Sequence, residues 1–125
     1  MKKFILLFIA IFLFIEVANG ESITLIASWY SIESLKKEGT YKYSKGVMAN
    51  GEEFDDNNLT CATRLFPLGV YLRITSLETN RQVIVKVTDR ISKRLGKTRI
   101  DLSKRAFMQI ANCKQGIVQV KVDKL

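Results

Sequence analysis

The carboxylates of this chain are its candidates for acid-base chemistry, because the sequence of 125 residues contains no histidine. Without histidine, Ser-His-Asp and Cys-His catalysis and the histidine-based zinc sites are all excluded. Asp89 ends the stretch Gln82–Arg90, Q-V-I-V-K-V-T-D-R, which alternates with the period of a β-strand. In a regular strand its side chain shares the core-facing side with Val83, Val85 and Val87. A charge there is costly unless it is paired or used, so Asp89 is either an ion-pair or turn residue or a functional acid.

A second group of carboxylates follows the turn signal Asn50-Gly51. Its members are Glu52, Glu53, Asp55 and Asp56. A solvated acidic loop and a calcium-binding loop are the structural alternatives to a functional site. The spacing lacks the alternate-residue ligands and the terminal glutamate of an EF-hand loop. We therefore predict no metal and no cofactor.

Residues 1–20 have the three-part layout of a secretory signal peptide. Lys2 and Lys3 precede an apolar run, and small residues lead up to Gly20 as the cleavage position. The run is shorter than the roughly 20 residues of a membrane span, so membrane attachment is expected only through an uncleaved signal. The cleavage position offers no cysteine for a lipid. We predict a signal peptide at 1–20, one domain at 21–125, and export to the periplasm or cell-wall space, not as a lipoprotein.

Export also shapes the expectations for cysteines and partners. Cys61 and Cys113 are the only two cysteines, and a disulfide between them is expected outside the cytoplasm. The formal charge of +8 at pH 7 invites anionic partners. For an exported chain these are cell-wall glycan or anionic lipid, and not nucleic acid, while ordinary solubilising charge is the alternative. We predict a monomer.

Short strands are predicted along most of the domain, which indicates a small barrel or sandwich. The predicted strands are Ser22–Ala27, Leu59–Arg64, Val70–Ser76, Gln82–Thr88 and a last one through Val118, Val120 and Val122, the third and fourth forming a hairpin. The first strand leads into Trp29 and Tyr30, whose rings either pack in the core or line a sugar-binding cleft.

The connecting segments are predicted to be loops with few helices. Ser31–Lys45 is a long polar loop with one helical turn, and Ile91–Arg99 is a basic loop. Ser103 or Asp101 is a candidate cap for a helix that ends around Asn112.

Six short motifs occur in an order and at spacings that resemble the rare lipoprotein A family. They are A-S-W-Y at Ala27–Tyr30, A-N-G-E-x-F-D at Ala49–Asp55, L-T-x-A at Leu59–Ala62, L-F-P-L-G at Leu65–Gly69, V-x-V-x-D-R at Val85–Arg90 and R-I-D-L-S at Arg99–Ser103. The resemblance covers essentially all of 21–125. It implies a mainly β fold, the six-stranded double-psi β-barrel with one or two short helices that expansins and barwin-like proteins share.

The resemblance also implies an activity. Bacterial members are lytic transglycosylases that cleave peptidoglycan glycan strands, preferably without stem peptides, and leave 1,6-anhydro ends. Carried over to this chain, the catalytic residues are Asp89, Glu52 and Asp55. Our hypothesis is that Asp89 is the acid/base, because apolar surroundings and neighbouring negative charge both keep a carboxyl protonated. Glu52 and Asp55 then shape its charge and hold the sugar, and the alternative is that one of these two is the acid/base.

Substrate-binding roles are expected at five further positions. They are Trp29, Tyr30, Asn50, Thr63 and Arg90. Arg90 is expected either to anchor the cleft wall or to meet substrate carboxylates. Thr63 departs from the family, which usually has a histidine there. The alternative function is therefore a non-catalytic, expansin-like protein that binds peptidoglycan without cutting it.

Overall fold

Six strands close into a barrel in the computed structural model, which describes residues 22–125. The predicted signal peptide lies outside these residues. Around the barrel the strand order is β1-β5-β2-β4-β3-β6. The strands are β1 (Ile23–Tyr30), β2 (Thr60–Ala62), β3 (Tyr71–Ser76), β4 (Gln82–Asp89), β5 (Arg99–Ser103) and β6 (Val118–Lys124). The predicted mainly β, six-stranded barrel is thereby confirmed.

The barrel mixes two kinds of strand pairing. β1 pairs with β5 and β2 pairs with β4 in parallel, whereas the other four neighbouring pairs are antiparallel. The predicted hairpin of β3 and β4 is confirmed, with Leu72 opposite Val85. Asn80 closes its turn at a φ of 61°, in the left-handed region that asparagine tolerates.

Alternate side chains of the strands point inward and form the main core. Leu72, Val85 and Ile100 are among those with no exposed surface. Helix α3 (Lys104–Ile110) packs against this core with Phe107 fully buried. Ser103, and not Asp101, caps the helix, since its Oγ accepts a hydrogen bond from Ala106 N at 3.2 Å.

Two short helices occupy the segment predicted as a loop, Ser31–Lys45. They are α1 (Ile32–Lys37) and α2 (Tyr41–Ser44). α1 forms because Ser31 and Ser34 make a capping box, each side chain accepting from the other's backbone N–H. None of the helices within residues 22–125 combines the length and the apolar character that crossing a membrane requires.

A second, smaller apolar cluster lies under these helices. It consists of Tyr30, Met48, Phe54, Ala62 and Ile91, with Ile32, Leu35 and Leu95 packed against it. Met48 and Phe54 belong to a loop held by a bridge between Val47 and Glu53. The cluster joins this loop, α1 and the segment after β4 to one face of the barrel.

A β-bulge at the end of β4 sets the direction of Asp89. Cys61 pairs with Val87, but the next residue of β2, Ala62, pairs with Asp89, so Thr88 is an extra residue in β4. Thr88 is buried, and its hydroxyl contacts Met48 Sδ at 3.2 Å. The expectation that Asp89 shares the face of the valines is therefore wrong, because one inserted residue reverses the alternation.

The two cysteines are free thiols in the structure, so the expected disulfide is not formed. Cys61 points into the barrel and has no exposed surface. Burial, with a smaller contribution from the charge of Asp101, raises the pKa of the Cys61 thiol. Cys113 starts a 3₁₀ turn after α3 and is partly buried. Burial raises the pKa of the Cys113 thiol too, and the nearby Lys104 acts in the opposite direction.

Alkylation of the unreduced protein distinguishes the free thiols from a disulfide. The native fold is expected to react at Cys113 alone, because a buried thiol with a raised pKa is a poor nucleophile. After unfolding without reductant, mass spectrometry is expected to find a second alkyl group, on Cys61. An unfolded protein that takes up no alkyl group until it is reduced would restore the disulfide.

Candidate active site

A cleft of about 560 Å³ opens on the outer face of the barrel, beside the smaller apolar cluster. One wall comes from α1, α2 and the loop after them, through residues such as Leu35, Ser44 and Met48. The opposite wall comes from the segment after β4, through Ile91 and Leu95. The floor is the outer surface of strands β1, β5, β2 and β4.

Four residues form one row across this floor. Ser28 pairs with Asp101, Asp101 with Ala62, and Ala62 with Asp89. Residues that pair directly across strands project to the same face. Asp89 and Asp101 are two strands apart, which corresponds to about 10 Å between their Cα atoms. The small side chain of Ala62 lies between them, so both carboxylates face the same open volume.

Asp89 is held by three hydrogen bonds. Its Oδ1 accepts from Ala49 N at 3.0 Å and from Arg90 N at 2.9 Å, and its Oδ2 accepts from Tyr30 Oη at 3.2 Å. No arginine or lysine among residues 22–125 forms an ion pair with it. The ion-pair alternative for Asp89 is therefore wrong. These three donors fix the position of the Asp89 carboxyl group.

Asp101 has different surroundings. Burial raises the pKa of Asp101 to about 6, while the hydrogen bond from Ser28 Oγ (2.9 Å) and the charge of Arg99 act in the opposite direction. The charges of Glu38 and Asp89 raise it further. At pH 7 about a tenth of Asp101 is therefore in the protonated form, whereas a free aspartic acid, with a pKa of about 4, is almost entirely ionised.

The two aromatic residues have separate positions. Tyr30 lines the cleft and stacks on Phe54 with ring centroids 4.4 Å apart. Burial, together with the carboxylates of Asp89 and Asp101, raises the pKa of the Tyr30 phenol well above its usual value, so it remains a donor. Trp29 packs against the main core, and its Nε1 donates to Cys113 O at 3.1 Å. Part of Trp29 also reaches the cleft.

Glu52 and Asp55 lie outside the cleft. Glu52 is exposed and accepts a hydrogen bond from Asn50 Nδ2 at 2.9 Å. Asp55 is also exposed, and its Oδ1 accepts from Asn57 N within a turn. Neither carboxylate is therefore among the groups that line the cleft together with Asp89. Asn50 likewise does not line the cleft, although it belongs to the loop that contributes Met48 and Phe54 to the wall.

Thr63 and Arg90 support the cleft from behind. Thr63 has no exposed surface, which leaves nothing to contact a glycan, contrary to the prediction. Arg90 Nη1 donates to the carbonyl oxygens of Thr63 at 2.6 Å and Phe66 at 2.7 Å. Of the two roles expected for Arg90, these contacts correspond to anchoring the wall.

Asp101 is a cleft residue that the sequence does not indicate, since its pattern predicts only a candidate helix cap there. The signal was its position between Ile100 and Leu102, both of which are fully buried. A charged residue that alternates with buried ones in a strand marks the opposite face of the sheet. Only the pairing with Ser28 and Ala62 shows what that face contains. Within residues 22–125 no group of three or more potential ligands is arranged to hold a metal.

Comparison with protein families gives one match along nearly the whole described chain. A family model described as "Lytic transglycolase" matches residues 22–122. The "Endolytic peptidoglycan transglycosylase RlpA" of Campylobacter jejuni is 37% identical over 110 residues, which are 86% of this chain and 35% of that protein. The protein of the same name from Pseudomonas aeruginosa strain UCBPP-PA14 is 37% identical over 78% of this chain and 26% of its own length. The chain thus spans about a third or less of these relatives.

Solved structures with the same fold are more distant in sequence. The Streptomyces papain inhibitor superposes with a TM-score of 0.65 at 22% identity, over 86% of this chain and 96% of the inhibitor. An expansin of Clavibacter michiganensis, solved in complex with cellohexaose, has a TM-score of 0.58 at 16% identity, over 83% of this chain and 50% of the expansin. At these identities the likeness concerns the fold alone.

Replacing Arg90 tests its anchoring role. Arg90→Gln is expected to lower the free energy of unfolding by about 2 kcal/mol, because two carbonyl groups lose a charged donor. Urea denaturation followed by circular dichroism measures the change. The control is Arg94→Gln, an exposed arginine four residues later, for which the expected change is within about 0.5 kcal/mol. Equal stability of the two variants would contradict the anchoring role.

Proposed function

Because the chain belongs to the lytic transglycolase family, the domain family of the rare lipoprotein A proteins, we propose that it is an endolytic peptidoglycan lytic transglycosylase. It cleaves between MurNAc and GlcNAc and leaves 1,6-anhydro-MurNAc ends. The observation that carries this proposal is the pair of carboxylates in one cleft, Asp101 desolvated and Asp89 hydrogen-bonded. Glycosidic cleavage needs a proton donor for the leaving oxygen and a group that stabilises positive charge on the sugar ring. Two carboxyl groups with unlike surroundings can fill these two roles.

Asp101 is the proton donor in this mechanism. Cleavage requires a proton on the leaving glycosidic oxygen, and a pKa of about 6 keeps enough of the acid form at neutral pH. After bond breakage the Asp101 carboxylate removes the proton from the muramic acid 6-hydroxyl as that oxygen attacks C1. The proton given up at the start is thereby recovered, and no water is consumed.

Asp89 is the second carboxyl group of this mechanism. Bond breakage leaves positive charge on the sugar ring, and a fixed carboxylate nearby lowers the energy of that state. The donors Ala49 N, Arg90 N and Tyr30 Oη hold the Asp89 carboxylate in place before the substrate arrives. This assignment moves the acid/base role from Asp89, where sequence reasoning had it, to Asp101. Glu52 and Asp55 are left to act at the rim, outside the reacting centre.

The reaction implies the setting. Peptidoglycan lies outside the cytoplasmic membrane, so we propose that residues 1–20 direct export and that domain 21–125 acts in the periplasm or cell-wall space. A basic chain, with a formal charge of +8, suits a glycan that carries carboxylates.

A non-catalytic wall binder is the second candidate. Two observations favour it: Thr63 occupies the position of the usual family histidine, and an expansin of similar fold was solved with an oligosaccharide bound. Mass spectrometry of purified sacculi after incubation separates the two functions. Anhydro-terminated products indicate an enzyme, and retention on sacculi without products indicates a binder.

Replacing the cleft carboxylates tests the proposed reaction. Asp101→Asn and Asp89→Asn are each expected to reduce the release of anhydro-terminated products by about 100-fold or more, as for removal of an acid-base group. Glu52→Gln and Asp55→Asn are the comparison variants, with expected losses below about tenfold because neither side chain lines the cleft. Full loss in Glu52→Gln with retained activity in Asp101→Asn would reverse the assignment.

The pH profile offers an independent test of the donor. The raised pKa of Asp101 means that its acid form predominates below about pH 6 and is lost above it. We expect kcat/KM on isolated glycan strands to fall about tenfold per pH unit on the alkaline side of that pKa. A rate that keeps rising through neutral pH would contradict a protonated Asp101. Ser28→Ala is expected to move the break upward, because the Ser28 hydroxyl stabilises the charged form.

A further inference from the structure

The cleft contains a cation that the mechanism does not use. Arg99 begins β5 and lies two residues before Asp101, so both side chains project to the same outer face about 7 Å apart along the strand. Arg99 lines the cleft together with Asp101 and Asp89. It pairs with Ile26 of β1, beside the pairing of Ser28 with Asp101.

The guanidinium group of Arg99 lacks the hydrogen bonds to carbonyl oxygens that the guanidinium group of Arg90 makes. Its Nε is buried and has no hydrogen-bond partner among residues 22–125. It forms no ion pair with a carboxylate in that part of the chain. Arg90, by contrast, donates to two carbonyl oxygens. The Nε–H is closed off from solvent, so the part of Arg99 that a ligand in the cleft can meet is the end of the guanidinium group, its two Nη amino groups.

We propose that Arg99 binds a carboxylate of the glycan substrate in the cleft, next to Asp101. The inference rests on the proposed function for the identity of the substrate. A guanidinium presents N–H donors in a planar fork that matches the two oxygens of a carboxylate, whereas sugar hydroxyls offer no such pair. Peptidoglycan strands supply this group in two ways: as the lactyl carboxylate of a muramic acid without a stem peptide, or as the carboxylates of the stem peptide itself.

Binding at Arg99 is coupled to the chemistry at Asp101. In the free protein the Arg99 charge favours the ionised form of Asp101, against the effects of Glu38 and Asp89. A substrate carboxylate on Arg99 neutralises that charge. The protonated form of Asp101 is then favoured when substrate is bound, so the carboxylate that is recognised also prepares the proton donor.

The test compares Arg99→Gln with Lys97→Gln on chemically defined glycans. Lys97 is exposed, belongs to the same connection between β4 and β5, and lies beside Thr24 and Gln119, outside the cleft. Both variants lose one positive charge, so long-range attraction falls equally. The glycans are stem-free strands, the same strands with their lactyl carboxylates converted to methylamides, and strands with intact stems.

On stem-free strands Arg99→Gln is expected to lower kcat/KM about tenfold, with most of the change in KM, because a charge-assisted contact is lost. Methylamide conversion is expected to lower the wild-type value to a similar extent and to remove the effect of Arg99→Gln. Lys97→Gln is expected to remain within about twofold of wild type on all three glycans. Arg99→Lys, which retains the charge without the fork, is expected to recover part of the loss.

The possible results distinguish carboxylate binding at Arg99 from the lytic transglycosylase activity. An Arg99→Gln effect found only on stem-bearing strands would identify the stem carboxylates as the ligand. An equal loss on free and methylamide strands would overturn carboxylate recognition. Affinity measured in the Asp101→Asn background does not depend on turnover. If wild type releases no anhydro products but binding still requires Arg99 and the free carboxylate, the inference stands and the lyase proposal fails.

Discussion

The one-residue bulge at Thr88 is the constraint on which the cleft depends. The interior of the barrel is an apolar core, and Val83, Val85 and Val87 belong to it. A regular continuation of β4 would direct the next charged side chain into the same apolar space, at a high desolvation cost. The extra residue turns Asp89 to the outer face, where backbone N–H groups and Tyr30 receive it. A functional carboxylate and a closed apolar core are thereby compatible within one strand.

Some charged residues at the cleft hold the structure together, and others are available to contact a substrate. Arg90 is committed to the carbonyl oxygens of Thr63 and Phe66, which fixes the segment after β2 against the end of β4. Arg64 adds a second link across the same interface, from its Nε to Ile91 O at 2.5 Å. Besides Arg90, the charged residues that line the cleft are Asp89, Asp101, Arg99 and Glu38. Arg90 is therefore expected to support the structure, whereas Arg99 is expected to bind substrate.

The barrel itself does not decide between cutting and binding. A papain inhibitor and an expansin superpose on this chain at TM-scores of 0.65 and 0.58, so different kinds of protein share the scaffold. In this chain the two carboxylates share a row across β1, β5, β2 and β4, and the walls come from segments outside the barrel. Thr63 stands where the family usually has a histidine. The residue is buried, and it supports the bulge through its backbone, because Thr63 N donates to Asp89 O at 3.1 Å.

Five of the six strands, the hairpin and the family were determined by the sequence alone, because alternation and turn residues are local properties and the six motifs are read in order. Strand β5 was not predicted, because its five residues are too short to show an alternation of their own. Local patterns also placed Asp89 at the end of a strand. Its direction was decided by a bulge that only the pairing with β2 reveals. The separation of Glu52 and Asp55 from the cleft, the burial of Thr63 and the raised pKa of Asp101 likewise depend on residues distant in the chain. Desolvation and pairing are sums over three-dimensional neighbours, so the tertiary structure alone decided which carboxylates share a site.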